Sequence, residues 1–200
     1  MFNLKKSLFY IDPEVNFLHV AGRTVLLVIL SVWGLRLIFS SIEGNAAGSS
    51  FLHLVNLPFH EAGHIIFRIS GRFLSVLGGS LMQVLIPLAC LGTFLIKTRD
   101  PFAASVSLWW TGENLLDLAP YINDARALKL MLLGGVTGAD VDDYHDWQYI
   151  LGKLGILSSD HILATTAHLF GSMLMLTACI WGGYMIWKQF QYARDNNLQL

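Results

Sequence analysis

Five stretches of this sequence, at about 20–40, 51–70, 81–97, 102–122 and 162–187, are apolar over nearly the roughly 20 residues that a helix needs to cross a bilayer. In hydrocarbon a chain must satisfy its own backbone hydrogen bonds, so such runs are helical. The expected fold is an all-α polytopic membrane protein with about five transmembrane helices. Only 14% of the residues are charged, against about 25% in soluble domains. Nothing outside the runs could house a second globular domain, so residues 1–200 read as a single membrane domain. The linkers are short: a polar loop at 41–50, a tight turn at 97–101 with Pro101 opening the next helix, and a Gly- and Asp-rich polar loop at about 125–160. Residues 71–80, with Gly78-Gly79, read as a small hairpin or re-entrant turn.

The net charge of −1 gives no footing for nucleic acid. Cys90 and Cys179 fall in apolar runs and imply no disulfide framework. The N-terminal segment has two lysines but no apolar core before Pro13, unlike a cleaved signal peptide. With the N-terminus in the cytoplasm, the inside segments carry Lys5, Lys6, Arg68, Arg72, Arg126, Lys129 and Lys153. The outside segments carry Lys97, Arg99, Lys188 and Arg194. That bias favours this orientation, in a cell (inner) membrane.

Within the second run, His60-Glu61-Ala62-Gly63-His64 reads H-E-x-x-H. On a helix, positions i and i+4 share a face, so His60 and His64 can offer two imidazoles to one metal ion. Glu61 projects about 100° further round and can act as general base for an attacking water. A carboxylate and two imidazoles at membrane depth cost several kcal/mol unless a metal or a water-filled cavity compensates. One zinc per chain is therefore expected. A catalytic zinc takes three protein ligands, and the residues leave the third open among Asp117, Asp124, His145, Asp146 and His168.

The segment from Asn114 through Asp117 and Pro120 to Asp124 and Arg126 ends the fourth run. Together with H-E-x-x-H it resembles the site-2 protease family of intramembrane metalloproteases over about 51–126. The runs at 20–40 and 162–187 lie outside the match. The resemblance implies His60, His64 and Asp124 as zinc ligands, Glu61 as the base and Asn114 as a residue steadying substrate or oxyanion. Asp117 stands where the family often has proline, and Asp124 arrives later than the family's aspartate and precedes Ala125 rather than glycine. Asp117 could instead pair with Arg126 or Lys129.

The implied activity is hydrolysis of peptide bonds in transmembrane or membrane-associated proteins by a metal-activated water. Such a substrate helix must unwind first, because its carbonyls are already bonded. The alternative is a non-proteolytic membrane protein: a pseudoprotease that holds client helices, or a carrier of metal or haem using His60, His64 and His168. The intact Glu61 favours hydrolysis. The loop at 141–147 gathers carboxylates and His145. It could be a further metal site, a source of carboxylates that orient an imidazole, or a solvated loop with His145 or Asp146 capping a helix that starts near Trp147. His168 reads as an interhelical residue, and Trp109, Trp110, Trp181 and Trp187 as an interface belt. A hairpin edge at Gly78-Gly79 would let substrate add as a strand, with Gln83 bonding its backbone. Oligomeric state is left open.

Overall fold

The computed structural model describes residues 4–197; the first three residues of the N-terminal segment lie outside them. The elements are α1 (Leu4–Leu8), α2 (Phe17–Ile38), α3 (Phe51–Ile66), α4 (Arg72–Thr93), α5 (Pro101–Asn123), α6 (Asp146–Lys153) and α7 (Asp160–Asn197). Among the described residues there is no strand. Among the described residues, three helical stretches are long and apolar enough to cross a membrane: Phe17–Ile38, Arg72–Thr98 and Leu157–Asn196. These three apolar helices suggest a membrane protein. The other two expected spans are helical as well, but α3 has only 16 residues and α5 carries Glu113 and Asp117 in its middle.

The hairpin expected at 71–80 is not formed. Gly71, at φ 93°, ends a 3₁₀ turn over Phe67–Ser70, and α4 then runs unbroken from Arg72 through Gly78-Gly79. The glycines serve helix packing. A β-carbon on Gly63 of α3 would overlap the Gly78 carbonyl, and one on Gly78 would lie 2.7 Å from the Gly63 carbonyl oxygen. Small residues let apolar helices approach backbone to backbone. With 71–80 helical, no strand edge is available there for a substrate.

Contacts divide the chain into two compact units. One comprises residues up to Arg36, Pro87–Gly112 and Met173 onward. Within it Arg23 pairs with Asp100 at 2.8 Å. Gly34 leaves room for the Trp109 indole, which a β-carbon there would meet at 2.8 Å.

The other unit comprises Leu37–Ile86 and Glu113–Ser172. Leu118, Ile122 and Ala164 form one core cluster, and Ala125, Ile150 and Leu151 another, with Trp147 and Leu163 packed against both. This core packs α6 against α4, α5 and the start of α7. His145 caps α6, its Nδ1 accepting the Gln148 N–H at 3.2 Å, which leaves Asp146 as the first helical residue. His168 lies with Nε2 3.0 Å from the Ile38 carbonyl, the interhelical role expected of it. Arg126 pairs with Asp160 at 2.7 Å rather than with Asp117.

Candidate metal centre

Three helices of the second unit each turn one polar face inward. On α3 these positions are His53, Asn56, His60 and His64; on α4, Ser75, Gly79 and Gln83; on α5, Glu113, Asp117 and Tyr121. Within each helix they recur every three or four residues, the spacing of one helical face. The faces meet through hydrogen bonds between named atoms. His60 Nδ1 is 3.0 Å from Gln83 Oε1, and Gln83 Nε2 donates to Asp117 Oδ2 at 2.8 Å. Asn56 Nδ2 donates to Glu113 Oε2 at 3.0 Å and to Asp117 Oδ2 at 3.2 Å. His53 Nδ1 is 2.9 Å from Asp117 Oδ1.

Toward the C-terminal end of α3, the polar ladder closes on a cluster. His60, His64 and Asp146 bring ligand atoms within 4.8 Å of one another and could hold a metal ion. Asp146 Oδ2 lies 2.9 Å from His60 Nε2 and 3.3 Å from His64 Nε2. Two ligands at about 2.05 Å from a tetrahedral zinc stand about 3.3 Å apart, so the separations of Asp146 from the two imidazoles fit. The donor chemistry fits as well. His64 Nδ1 faces the Ser75 carbonyl oxygen at 2.9 Å. A carbonyl only accepts, so Nδ1 carries the hydrogen and Nε2 is the atom turned to the cluster. Without a metal, an Nε2–H donates to the carboxylate at such range; without that proton, the Nε2 lone pair and the carboxylate are left as donors for a cation.

Gly79 shapes the space. A β-carbon there would lie 2.6 Å from His60 Nε2 and 2.7 Å from His64 Nε2. The missing side chain is what lets both rings turn the same nitrogen inward. Asp146 is steadied from behind, since its backbone N–H donates to the Tyr121 hydroxyl at 2.9 Å. Burial opposes its ionisation, but hydrogen bonds and charge at His60 and His64 outweigh that and hold its carboxyl below the ordinary value.

The cluster opens on a cavity of about 500 Å³. Part-exposed Glu61, His53 and Tyr121 line it together with the buried Gln83 and Asp117, and apolar wall comes from Leu54, Leu57, Leu118, Leu130 and Met131.

Of the residues named from the sequence, His60, Glu61 and His64 are thus together at one cavity. Asp124 is not in the cluster. Its carboxylate accepts the backbone N–H groups of Lys129 at 2.9 Å and Leu130 at 2.8 Å, and lies 3.5 Å from His145 Nε2. It folds the loop after α5 back on itself, and the carboxylate brought to the histidines is Asp146, from the loop at 141–147. Asn114 is fully buried and does not line the cavity. No family model, no curated protein and no solved structure matches this chain.

Proposed function

We propose that this protein is a zinc metalloprotease of the site-2 protease type, hydrolysing peptide bonds of transmembrane or membrane-associated proteins. The observation that carries the reading is the convergence of His60, His64 and Asp146 on a cavity that Glu61 also lines. Those three side chains would hold one zinc per chain and leave a fourth position open, as catalytic sites do. Bound there, zinc lowers the pKa of water toward 7 and polarises a scissile carbonyl. Glu61 takes the proton of the attacking water and returns it to the leaving amine. Leu57, Leu118 and Leu130 offer apolar wall to side chains flanking the bond. The substrate must arrive extended, because a helical carbonyl is shielded and already bonded. Asn114, buried in α5, makes no substrate contact in this reading.

The reading takes α2, α3, α4, α5 and α7 as five spans of a cell (inner) membrane, with the N-terminus in the cytoplasm. The short α3 and the polar middle of α5 are tolerable at membrane depth because His53, Asn56, Gln83, Glu113 and Asp117 bond one another across the helices. A haem carrier is the poorer reading. His60 and His64 present their nitrogens side by side rather than across a ring plane, and His168 is engaged by the Ile38 carbonyl. A pseudoprotease would have no use for a carboxylate at position 61.

The test is cleavage in liposomes of a transmembrane substrate carrying a helix-breaking residue. Wild type cleaves, a strong chelator stops it and zinc restores it. Glu61→Gln keeps its zinc and does not cleave. Cleavage by Glu61→Gln at the wild-type rate would overturn the proposal.

A further inference from the structure

We propose that Asp117 is a positioning residue for the metal centre, acting through Gln83 to fix which ring nitrogen His60 presents. The inference rests on the metal-site reading above and goes one shell beyond it.

His64 has its tautomer set by a backbone carbonyl, which has only one hydrogen-bonding character. His60 has no such partner. Its Nδ1 faces a glutamine amide, and an amide offers an acceptor at one end and donors at the other. The amide alone does not decide where the His60 hydrogen sits. Something must decide which end of Gln83 points at the ring.

Asp117 decides it. Its Oδ2 takes the nitrogen of Gln83 at 2.8 Å and the nitrogen of Asn56 at 3.2 Å. A carboxylate is an acceptor only, so the NH₂ end of Gln83 is drawn to it and the Oε1 end is left facing His60. Nδ1 must then donate, and Nε2 carries the lone pair turned toward His64 and Asp146. Reversing the amide would set its oxygen against a carboxylate and its NH₂ against the Nδ1–H of a metal-ligating imidazole. Both contacts would be unfavourable at once. Gln83 and Asp117 are both buried, at 4% and 6% exposure, so solvent does little to relieve either contact. The relay runs across three helices, from α5 through α4 to α3.

A plain structural role for Asp117, joining α3 to α5 through Asn56 and His53, predicts something different. Loss of that joint would weaken the site whatever stands at position 83. The two are separated by a double-mutant cycle on zinc affinity, measured by chelator competition on full-length protein in detergent. Partners of metal-ligating imidazoles are worth about 10- to 100-fold in metal affinity, so Gln83→Leu should weaken zinc by that much. Asp117→Ala should weaken it too, and the pair Gln83→Leu with Asp117→Ala should be no worse than Gln83→Leu alone. Asp117→Asn should stay close to wild type. Its one oxygen is held at the Oδ2 position by the two amide nitrogens, and that still orients Gln83.

Nitrogen NMR of zinc-loaded wild type needs no variant and covers the case in which Asp117→Ala does not fold. His60 should show a protonated Nδ1 and a zinc-bound Nε2. Zinc on Nδ1, unchanged affinity in Gln83→Leu, or losses that add in the double variant would each overturn the relay while the metal site stands. Wild type that binds no zinc would overturn the metal-site reading and the relay with it.

Discussion

Gly79 does more for the candidate centre than its lack of a side chain would suggest. Both histidines turn Nε2 toward the point where its β-carbon would be. Gly79→Ala should therefore push the rings apart and abolish zinc binding, although alanine favours a helix over glycine by about 1 kcal/mol. Gly92 lies on the same helix with nothing within 4 Å of its would-be β-carbon, so Gly92→Ala should leave zinc content unchanged. Zinc analysis of the two purified variants checks the pair, and equal loss in both would point to a general helix effect. His60, Glu61 and His64 were legible because the H-E-x-x-H spacing is itself a statement about one helical face. Asp146 is one of five third-ligand candidates in the sequence but is not preferred there over Asp124, because no periodicity links it to a motif some 80 residues earlier in the chain.

Among the helices, α6 is the one that brings Asp146 to the histidines, and its position depends on two anchors. His145 caps it, and Asp124 ties down the start of the loop that leads to it. Asp124→Ala should leave zinc bound but open the loop at 124–145 to limited proteolysis, because two backbone N–H groups lose their acceptor. Zinc loss with an intact loop would return Asp124 to the ligand set that the resemblance to site-2 proteases implies. His145→Ala should lower stability by about 1 kcal/mol, the usual worth of an N-cap, read as a lowered Tm. The helices themselves were largely foreseeable from apolar runs. The exception was 71–80, where a glycine pair has two physical uses. Glycine permits a turn, and it also permits two helices to touch; sequence alone does not say which, and the partner Gly63 decides it.

Over the whole chain, the apolar runs gave the all-helical class, while the number that cross a bilayer depends on two helices with polar faces. Reporter fusions bear on this directly. With five spans and the N-terminus in the cytoplasm, residue 45 should lie outside and residues 75 and 140 inside; residue 140 outside would reverse the orientation without touching the site. The central claim is that a metal joins α3 to α6. It is tested most directly by the zinc content of full-length protein purified in detergent, wild type beside Asp146→Ala and Asp124→Ala. The account predicts about one zinc per chain in wild type, the same in Asp124→Ala, and none in Asp146→Ala. Full occupancy in Asp146→Ala would contradict it.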